Sequence, residues 1–325
     1  MKKITILVPA YNEQEVLDQL YNRLNKVMNS ISNYEFEILF VNDGSRDNTV
    51  QIIKSLRAFD ERISYVDLSR NFGKETAMIA GLDYAQGDAV IILDADLQDP
   101  PELIPEMIKY WEEGYDDVFA RRRSRSGETW FKKWTANTFY KILQKTTKIQ
   151  IQKNTGDFRL LDRRCVEALK QLRETQRYTK GMFSWIGYQK KEILFDRDPR
   201  AAGETKWNYL KLIDLAIEGI TSFTTAPLRL SAFFGCVISV FAFIYMIWII
   251  TKTLVFGESV QGYPSLMTAI LFLGGIQLIS LGIIGEYLGR IFNETKKRPL
   301  YFVNEYNNEK VQNEVERVVF QKRGV

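Results

Sequence analysis

The chain has 325 residues, and its 44 Lys and Arg against 40 Asp and Glu give a formal charge of +4, too small to indicate nucleic-acid binding. It contains no histidine, which excludes Ser-His-Asp triads, Cys-His dyads, His-ligated zinc and imidazole acid-base catalysis. Any chemistry must therefore be carried by carboxylates, Lys, Arg and Tyr. Cys165 and Cys236 fall in a predicted soluble helix and a predicted membrane helix, so we expect no disulfide framework and a reducing compartment.

Short apolar runs alternate with helix-length polar segments from the first residues onwards. The separation of about 20 residues is typical of βαβ units and predicts an α/β fold with a mostly parallel sheet. The predicted strands span residues 4–8, 36–41, 63–68 and 88–93, and later patterns predict a strand at 117–120, a helix at 163–172 and a strand at 192–195.

A polar loop follows each of the first four predicted strands. Because the carboxyl ends of parallel strands meet at one sheet edge, we expect these loops to converge there. No Gly-x-Gly-x-x-Gly follows the first strand and no Gly-Lys-Ser/Thr motif is present, which argues against a dinucleotide site or a P-loop. The loops contain residues 9–13, 42–45, 69–74 and 94–98.

Two carboxylates, Asp94 and Asp96, follow an apolar run at residues 89–93. A run without polar alternation predicts a strand covered on both faces, so the two carboxylates should lie where the strand emerges. An Asp-x-Asp pair at this edge suits a hard divalent cation that also binds a diphosphate. The alternative is an ordinary acidic turn before a helix that begins near Pro100 or Pro101.

The loops after the second and third strands supply further polar candidates. Asp43 could accept hydrogen bonds from a base or ribose, although Asn-Asp-Gly-Ser is also an ordinary turn sequence. Arg70 and Lys74 could neutralise phosphate groups.

A basic cluster follows the strand predicted at 117–120, and bulky aromatic residues recur between 130 and 141. Such a cluster is usually a solvated surface, but the aromatic spacing is also typical of an interfacial amphipathic helix. Nucleic-acid binding uses similar residues, and the apolar spans downstream favour lipid headgroups instead. The cluster comprises Arg121, Arg122, Arg123 and Arg125.

Two later segments also carry candidate site residues. Asp157 follows a glycine that permits close backbone approach, and it is our candidate for a site carboxylate that faces an acceptor substrate. The alternative is a strand-edge Asp paired with Arg159. Arg200 and Lys206 lie in a polar loop, where they could bind phosphate or simply be exposed.

The last third of the chain is different in character. Residues 209–220 have a helical apolar pattern that suits a bilayer surface or the sheet. Two long apolar segments, about 230–250 and 265–288, are each expected to span a bilayer core of about 30 Å. Positive charges flank the pair at Arg229 and at residues 290–298, so the positive-inside rule places both termini in the cytosol.

These patterns divide the chain into three expected parts. Residues 1–225 form a cytosolic catalytic domain that includes interfacial helices, and residues 226–290 form a transmembrane hairpin. Residues 291–325 form a cytosolic tail that is charged, and we expect it to be partly disordered or docked peripherally.

Four motifs together resemble glycosyltransferase family 2. They are Pro-Ala-Tyr-Asn-Glu at 9–13, Val-Asn-Asp-Gly-Ser at 41–45, Asp-Ala-Asp with Gln-Asp-Pro at 94–100, and Gly-Asp-Phe-Arg at 156–159. The resemblance covers roughly residues 1–225. With residues 200–206 and the paired spans, the whole chain is similar to the polyprenyl-phosphate glycosyltransferases, which include dolichol-phosphate mannose synthase and bacterial undecaprenyl-phosphate sugar transferases.

That resemblance implies a GT-A fold, a nucleotide-diphosphate sugar donor, Mg²⁺ or Mn²⁺, inversion at the anomeric carbon and a polyprenyl phosphate acceptor. Asp157, Asp94 and Asp96 would be catalytic, with Asp96 as the metal ligand. The nucleotide-sugar site would comprise Pro9, Tyr11, Glu13, Asp43, Arg70, Lys74, Asp94, Ala95 and Gln98. The acceptor phosphate would be bound from among Arg200, Lys206, Arg121, Arg122, Arg123 and Arg125.

The resemblance further implies an integral protein of the cytoplasmic membrane, with UDP-glucose as the favoured donor, no nucleic-acid partner, and homo-oligomerisation left open. Two alternatives stand beside single-sugar transfer to undecaprenyl phosphate. One is a processive polysaccharide synthase, although two spans are few for a polymer channel and a Gln-x-x-Arg-Trp motif is missing. The other is a non-catalytic membrane scaffold or lipid-translocation partner.

Overall fold

The computed structural model describes residues 1–123, 155–175, 177, 179–196, 226–256 and 262–311. Its contacts separate two compact units. The first comprises Met1–Leu212 together with Arg298–Val325, and the second comprises Ile213–Lys297.

Nine strands in the described part of the first unit form a single sheet. They are β1 Lys2–Ala10, β2 Tyr34–Asn42, β3 Ile63–Leu68, β4 Ala89–Ile92, β5 Asp117–Arg122, β6 Thr155–Asp162, β7 Lys190–Phe195, β8 Val303–Tyr306 and β9 Glu309–Lys310. Their order across the sheet is β7-β5-β6-β4-β1-β2-β3-β8-β9.

The sheet is mixed, which corrects our expectation of a mostly parallel one. The predicted parallel block is confirmed, because β4, β1, β2 and β3 are parallel neighbours. However, β6 runs antiparallel to both β4 and β5, and β8 runs antiparallel to β3. An apolar run shows that a strand exists but not in which direction the chain crosses the sheet, so the later strands could not be oriented from the sequence.

Six helices in the described part of the first unit accompany the sheet. They are α1 Leu17–Asn29, α2 Thr49–Phe59, α3 Lys74–Tyr84, α4 Ile104–Glu112, α5 Arg163–Gln171 and α6 Thr179–Trp185, and a short 3₁₀ turn at Pro101–Leu103 precedes α4. Five were expected from the sequence as connecting or predicted helices, whereas α6 was not.

Helices cover both faces of the parallel block. On one face, Ile4 and Ile6 of β1 belong to the same buried cluster as Leu20 and Leu24 of α1. On the other face α3 packs closely, because a Cβ at Gly81 would lie 2.0 Å from a methyl carbon of Leu7. Each fully buried leucine contributes about 1.5–3 kcal/mol, so this two-sided burial holds the strand ends and their loops in fixed positions.

The described part of the second unit contains two long helices, α7 Ala226–Phe256 and α8 Tyr263–Thr295. The hydroxyl of Ser231 on α7 donates to that of Ser280 on α8, 2.9 Å apart. Phe272–Thr295 is long and apolar enough to cross a membrane, whereas the apolar stretch Leu230–Tyr245 is shorter. Among the residues that the structure describes there is therefore one candidate span, where two were expected.

Several expectations concern other parts of the chain. The helical patterns at 130–141 and 209–220 lie outside the described residues. The tail was expected to be partly disordered or peripherally docked; its residues 303–310 form β8 and β9 at the β3 edge of the sheet. Residues 312–325 lie outside the described part of the chain.

Candidate active site

A pocket of about 430 Å³ opens where the parallel strands end. The predicted convergence of loops is confirmed, since residues from the ends of β1, β2 and β4 and from the start of α3 share this pocket. Its lining includes eight residues that the sequence singled out: Pro9, Tyr11, Glu13, Asp43, Lys74, Asp94, Ala95 and Asp96. Ala10, Asn71, Gly73 and Ala77 complete the lining.

Asp43, directly after β2, holds the loop after β3 in place. Its Oδ1 accepts a hydrogen bond from the backbone N–H of Phe72 at 2.7 Å, and its Oδ2 accepts from Gly73 at 3.0 Å. Burial raises the pKa of Asp43, and these two donors and Arg70 oppose that rise. The carboxylate thus already has two backbone partners, and any contact with a bound ligand would use its remaining lone pairs.

The loops after β1 and β2 are joined by reciprocal hydrogen bonds. The backbone N–H of Asn12 donates to Ser45 Oγ at 3.0 Å, and the Asn12 side chain accepts from the backbone N–H of Arg46 at 2.8 Å. At Gly44 the chain has φ +63°, and a Cβ there would lie 2.4 Å from the carbonyl carbon of Arg70. Only glycine permits this approach, so the first three loops form one connected wall.

Lys74 connects two carboxylates from different strands. Its Nζ lies 2.7 Å from each carboxylate oxygen of Asp94 and 2.5 Å from Oδ2 of Asp157. Asp94 follows β4 and Asp157 lies in β6, so the antiparallel pairing of these strands brings both to the same ammonium group. The predicted alternative, a pair between Asp157 and Arg159, is wrong, because Arg159 instead pairs with Asp117 at 3.0 Å.

These contacts fix the charge of Asp157. Burial acts to raise its pKa, but the positive charges of Lys74 and Lys180 outweigh burial and lower the pKa to about 2. For Lys74, burial acts to lower the pKa, and the charges of Asp94 and Asp157 outweigh it, so its pKa is raised. Asp157 is therefore an anion, and Lys74 a cation, throughout the neutral range.

Asp96 lies at the pocket wall two residues beyond Asp94. Its Oδ1 accepts from the backbone N–H of Gln98 at 3.2 Å, across Leu97, which has the unusual φ of 59°. In the described part of the chain no three acidic or cysteine side chains are grouped to hold a metal by themselves. Mg²⁺ commonly uses one or two protein carboxylates together with substrate phosphates and water, so a single Asp at the pocket wall is chemically sufficient as the protein ligand of such an ion.

The arginines at the end of β5 separate by face. Arg121 pairs with Glu192 at 3.2 Å, and Arg123 lies 3.8 Å from Asp196. Arg122 is different, because its Nη2 would lie 3.6 Å from a Cβ on Gly156, the residue before Asp157. Alternation along a strand therefore brings one arginine of the three towards the Asp157 side.

The remaining predicted residues lie elsewhere. Arg70 is not part of the pocket lining, and its guanidinium stacks 4.0 Å from the ring of Phe72. Gln98 contacts Asp96 through its backbone and does not line the pocket. Three of the predicted phosphate-binding residues, Arg125, Arg200 and Lys206, lie outside the described residues.

Sequence reasoning missed the contribution of α6. Its first residue, Thr179, donates from both backbone N–H and hydroxyl to Glu75, the neighbour of Lys74 on α3, at 2.9 and 2.5 Å. Burial lowers the pKa of Lys180, the next residue; Asp157 opposes this and Lys74 adds to it. The helix is only seven residues long and has no clear apolar period, so no signal in the sequence indicated it.

Comparisons with known proteins cover both units. Residues 5–170 match the model of glycosyl transferase family 2, and residues 226–291 match the GtrB C-terminal hairpin. Among curated relatives, an uncharacterized glycosyltransferase of Synechocystis sp. is 53% identical over 303 residues, which cover 93% of this chain and 95% of that protein.

Two further relatives have more informative names. The prophage bactoprenol glucosyl transferase homolog of Escherichia coli and the bactoprenol glucosyl transferase of Shigella phage SfV are each 47% identical over 301 residues. The alignments cover 93% of this chain and 98% of each relative. With the family model matched across the pocket, the chain belongs to glycosyltransferase family 2 and is a glycosyltransferase.

Proposed function

We propose that the protein transfers a single sugar from a nucleoside-diphosphate sugar, with UDP-glucose as the preferred donor, to the phosphate of a membrane polyprenol, undecaprenyl phosphate. The observation that carries this proposal is the 47% identity to bactoprenol glucosyl transferases, which extends over 93% of the chain and therefore includes both the pocket and the hairpin.

The pocket geometry supports a donor site at the ends of the parallel strands. Pro9, Tyr11, Glu13 and Asp43 would surround the base and ribose, and Tyr11, with 40% of its surface exposed, offers a ring face for stacking. Asp94 would contact the ribose or the sugar. Arg70, with its guanidinium over Phe72, would act from outside the lining.

Asp96 would hold Mg²⁺ or Mn²⁺ on the donor diphosphate, with the remaining coordination positions filled by phosphate oxygens and water. When bound, such an ion neutralises the charge that develops on the leaving nucleoside diphosphate. Asp94 is not a natural partner in this role, because Lys74 lies 2.7 Å from both of its oxygens.

In the proposed reaction an oxygen of the acceptor phosphate forms a bond to the anomeric carbon while the bond from that carbon to the diphosphate oxygen breaks. Attack from the opposite face inverts the anomeric centre. The second pKa of a phosphate monoester is about 6, so the acceptor is already a dianion at neutral pH. Asp157, with its pKa lowered to about 2, would position groups rather than remove a proton.

Two anionic substrates repel each other, so the acceptor side needs fixed positive charge. Of the β5 arginines, Arg122 is the best candidate, because its Nη2 would lie 3.6 Å from a Cβ on Gly156, the residue before Asp157. Arg125, Arg200 and Lys206 are further candidates from the sequence.

The hairpin would anchor the protein in the membrane that contains the lipid acceptor. Large apolar side chains on α7 and α8 are exposed, for example Phe241 at 68% and Leu278 at 71%, as expected for a lipid-facing surface. We propose that both helices span the cytoplasmic membrane, at about 230–250 and 265–288, with the catalytic domain of residues 1–225 and the tail of residues 291–325 in the cytosol.

The test is a transfer assay with the full chain in membranes. Radiolabelled UDP-glucose, UDP-N-acetylglucosamine and GDP-mannose would each be offered with undecaprenyl phosphate and Mg²⁺, with the Asp157→Asn variant as the inactive control. We expect a lipid product that carries one glucose with inverted configuration. A polymeric product, or no transfer from any of these donors, would contradict the proposal.

A further inference from the structure

The part of the chain that follows α8 belongs to the first unit and pairs with the sheet beside β3. We call residues 302–308 the return segment; it contains β8, which pairs antiparallel with β3. Several side chains fix it there, including Glu305, which pairs with Lys54 at 2.9 Å, and Asn307, which accepts from the backbone N–H of Tyr65 at 2.9 Å. The return segment is thus firmly attached to the sheet edge.

One residue of the return segment begins a chain of hydrogen bonds that runs inward. Asn304 Nδ2 donates to Asp67 Oδ2 at 2.8 Å. The other oxygen of Asp67 accepts from Nδ2 of Asn42 at 2.6 Å. Asn42 is 1% exposed and is the last residue of β2, directly before Asp43. A buried amide with both ends bonded has one orientation, and Asp67 selects it.

The chain continues into the loops that line the pocket. Asn42 Oδ1 accepts from the backbone N–H of Ser45 at 3.2 Å, and Ser45 Oγ accepts from Asn12 at 3.0 Å. Asn12 stands between Tyr11 and Glu13, which both line the pocket. A second contact acts on the loop after β3, where the backbone N–H of Ser69 donates to the carbonyl of Phe302 at 2.9 Å.

We propose that Asn304 and Asp67 are positioning residues for donor binding, through which the return segment holds the loops after β1, β2 and β3 in their binding geometry. Neither residue lines the pocket, so they act through Asn42, Ser45 and Asn12. The inference rests on the proposed function, because it assumes that the ligand of these loops is a nucleoside diphosphate.

The decisive experiment places a carboxylate at residue 304, first alone and then together with an amide at residue 67. Asn304→Asp sets two carboxylates against each other and should weaken the link. In the double variant Asp67→Asn/Asn304→Asp every hydrogen bond can form again, because the new amide donates to residue 304 and still accepts from Asn42. Glu305→Gln is the control: Glu305 lies next to Asn304 and faces Asp67 across the β3–β8 pairing, but its side chain bonds to Lys54 and Tyr65 and belongs to neither end of the Asn304–Asp67 hydrogen bond.

The probe is UDP with Mg²⁺, titrated calorimetrically into the full chain in detergent. We expect Asn304→Asp to raise the Kd by about tenfold, and the double variant to restore it. Glu305→Gln should bind UDP like the wild type. In transfer assays the donor KM should rise while kcat at saturating donor stays unchanged. Unchanged binding by Asn304→Asp, or no restoration in the double variant, would overturn the proposal.

Hydrogen exchange without nucleotide separates this inference from the proposed function. Asn304→Asp should accelerate exchange of the backbone amides of Asn12 and Ser45 relative to Glu305→Gln. If Asn304→Asp does not fold, the same acceleration is expected in Asn304→Ala, which removes the hydrogen bond without adding charge. If the wild type binds no nucleoside diphosphate but exchange accelerates, the proposed function fails and the positioning link stands. Unchanged exchange overturns the link itself.

Discussion

The ammonium of Lys74 lies 2.5 Å from Oδ2 of Asp157, although the two residues are 83 positions apart in the chain. The same ammonium also contacts Asp94, so one cation neutralises part of the charge of two carboxylates. Without it, Asp94 and Asp157 would lose the cation that they share, and Lys180 would remain near Asp157. Lys74 is therefore expected to set the geometry of the reaction centre.

Replacing Lys74 by Met should lower kcat/KM by about two to three orders of magnitude, because the two carboxylates then repel and move from their positions. The measurement is steady-state transfer from the donor identified in the membrane assay. Lys74→Arg keeps the charge and should retain clearly more activity than Lys74→Met. Equal losses in the two variants would show that a positive charge at residue 74 does not by itself preserve the reaction centre.

The pH dependence should carry no signal from Asp157 near neutrality. The pKa of Asp157 in the folded state, about 2, lies below its value in the unfolded chain. Its ion pair with Lys74 therefore stabilises the fold fully above the unfolded pKa, and this stabilisation is lost as the pH falls towards 2. The unfolded value is about 3.9, which places the whole window below about pH 4. The acid limb of kcat/KM should instead follow the acceptor phosphate, near pH 6.

A phosphonate analogue of the acceptor shows whether the acid limb of kcat/KM comes from the acceptor phosphate or from a group of the enzyme. Its second pKa is higher than that of the phosphate ester, so an acid limb due to the acceptor should move to higher pH with the analogue. A limb that stays in place with both acceptors would belong to a group of the enzyme, and the assignment of the acid limb to the acceptor phosphate would then be wrong.

Much of the parallel half of the fold could be predicted, because apolar runs of strand length and the polar loops after them are local signals. Asp94 and Asp96 follow β4 as expected, and with Tyr11, Glu13 and Asp43 they line one pocket. The contact of Lys74 with Asp157 could not be predicted. It depends on β6 running antiparallel to β4, and the sequence of a strand does not specify its direction.

Two further features of the structure could not be predicted from the sequence, for other physical reasons. The strand predicted at 117–120 extends to Arg122, and charged residues at its end masked the alternation that separates Arg122 from Arg121 and Arg123. The return segment has one buried apolar residue, Val303, and its attachment relies on polar contacts such as that of Asn304 with Asp67. Polar contacts of this kind leave no apolar period to detect.

Asp96→Asn should abolish metal-dependent transfer while the fold remains intact. The amide keeps the side-chain oxygen that accepts from Gln98 but lacks the negative charge that a hard cation requires. We expect a loss of at least about a hundredfold in kcat/KM, and weaker Mn²⁺ binding by electron paramagnetic resonance in the presence of UDP. Transfer at the wild-type rate would disprove the assignment of Asp96 as the metal ligand.

The buried pair of Arg159 and Asp117 should dominate stability rather than catalysis. Arg159 is 1% exposed and Asp117 is 0% exposed, and the guanidinium also lies 3.7 Å from the ring of Phe183. Arg159→Met would leave the Asp117 carboxylate buried, with Lys190 at 3.7 Å as its remaining ion-pair partner among the described residues. Breaking one side of such a pair typically costs about 3–5 kcal/mol.

The matched control for that variant is Arg23→Met, which breaks the more exposed pair with Glu102, whose carboxylate side chain is 54% exposed. Surface pairs contribute about 0–1 kcal/mol, so thermal unfolding should reveal a large loss for Arg159→Met and almost none for the control. Similar losses would mean that Lys190 moves to neutralise Asp117. The double variant Arg159→Met/Asp117→Asn tests this directly, because removing the stranded charge should recover part of the lost stability only if Lys190 has not already compensated for it.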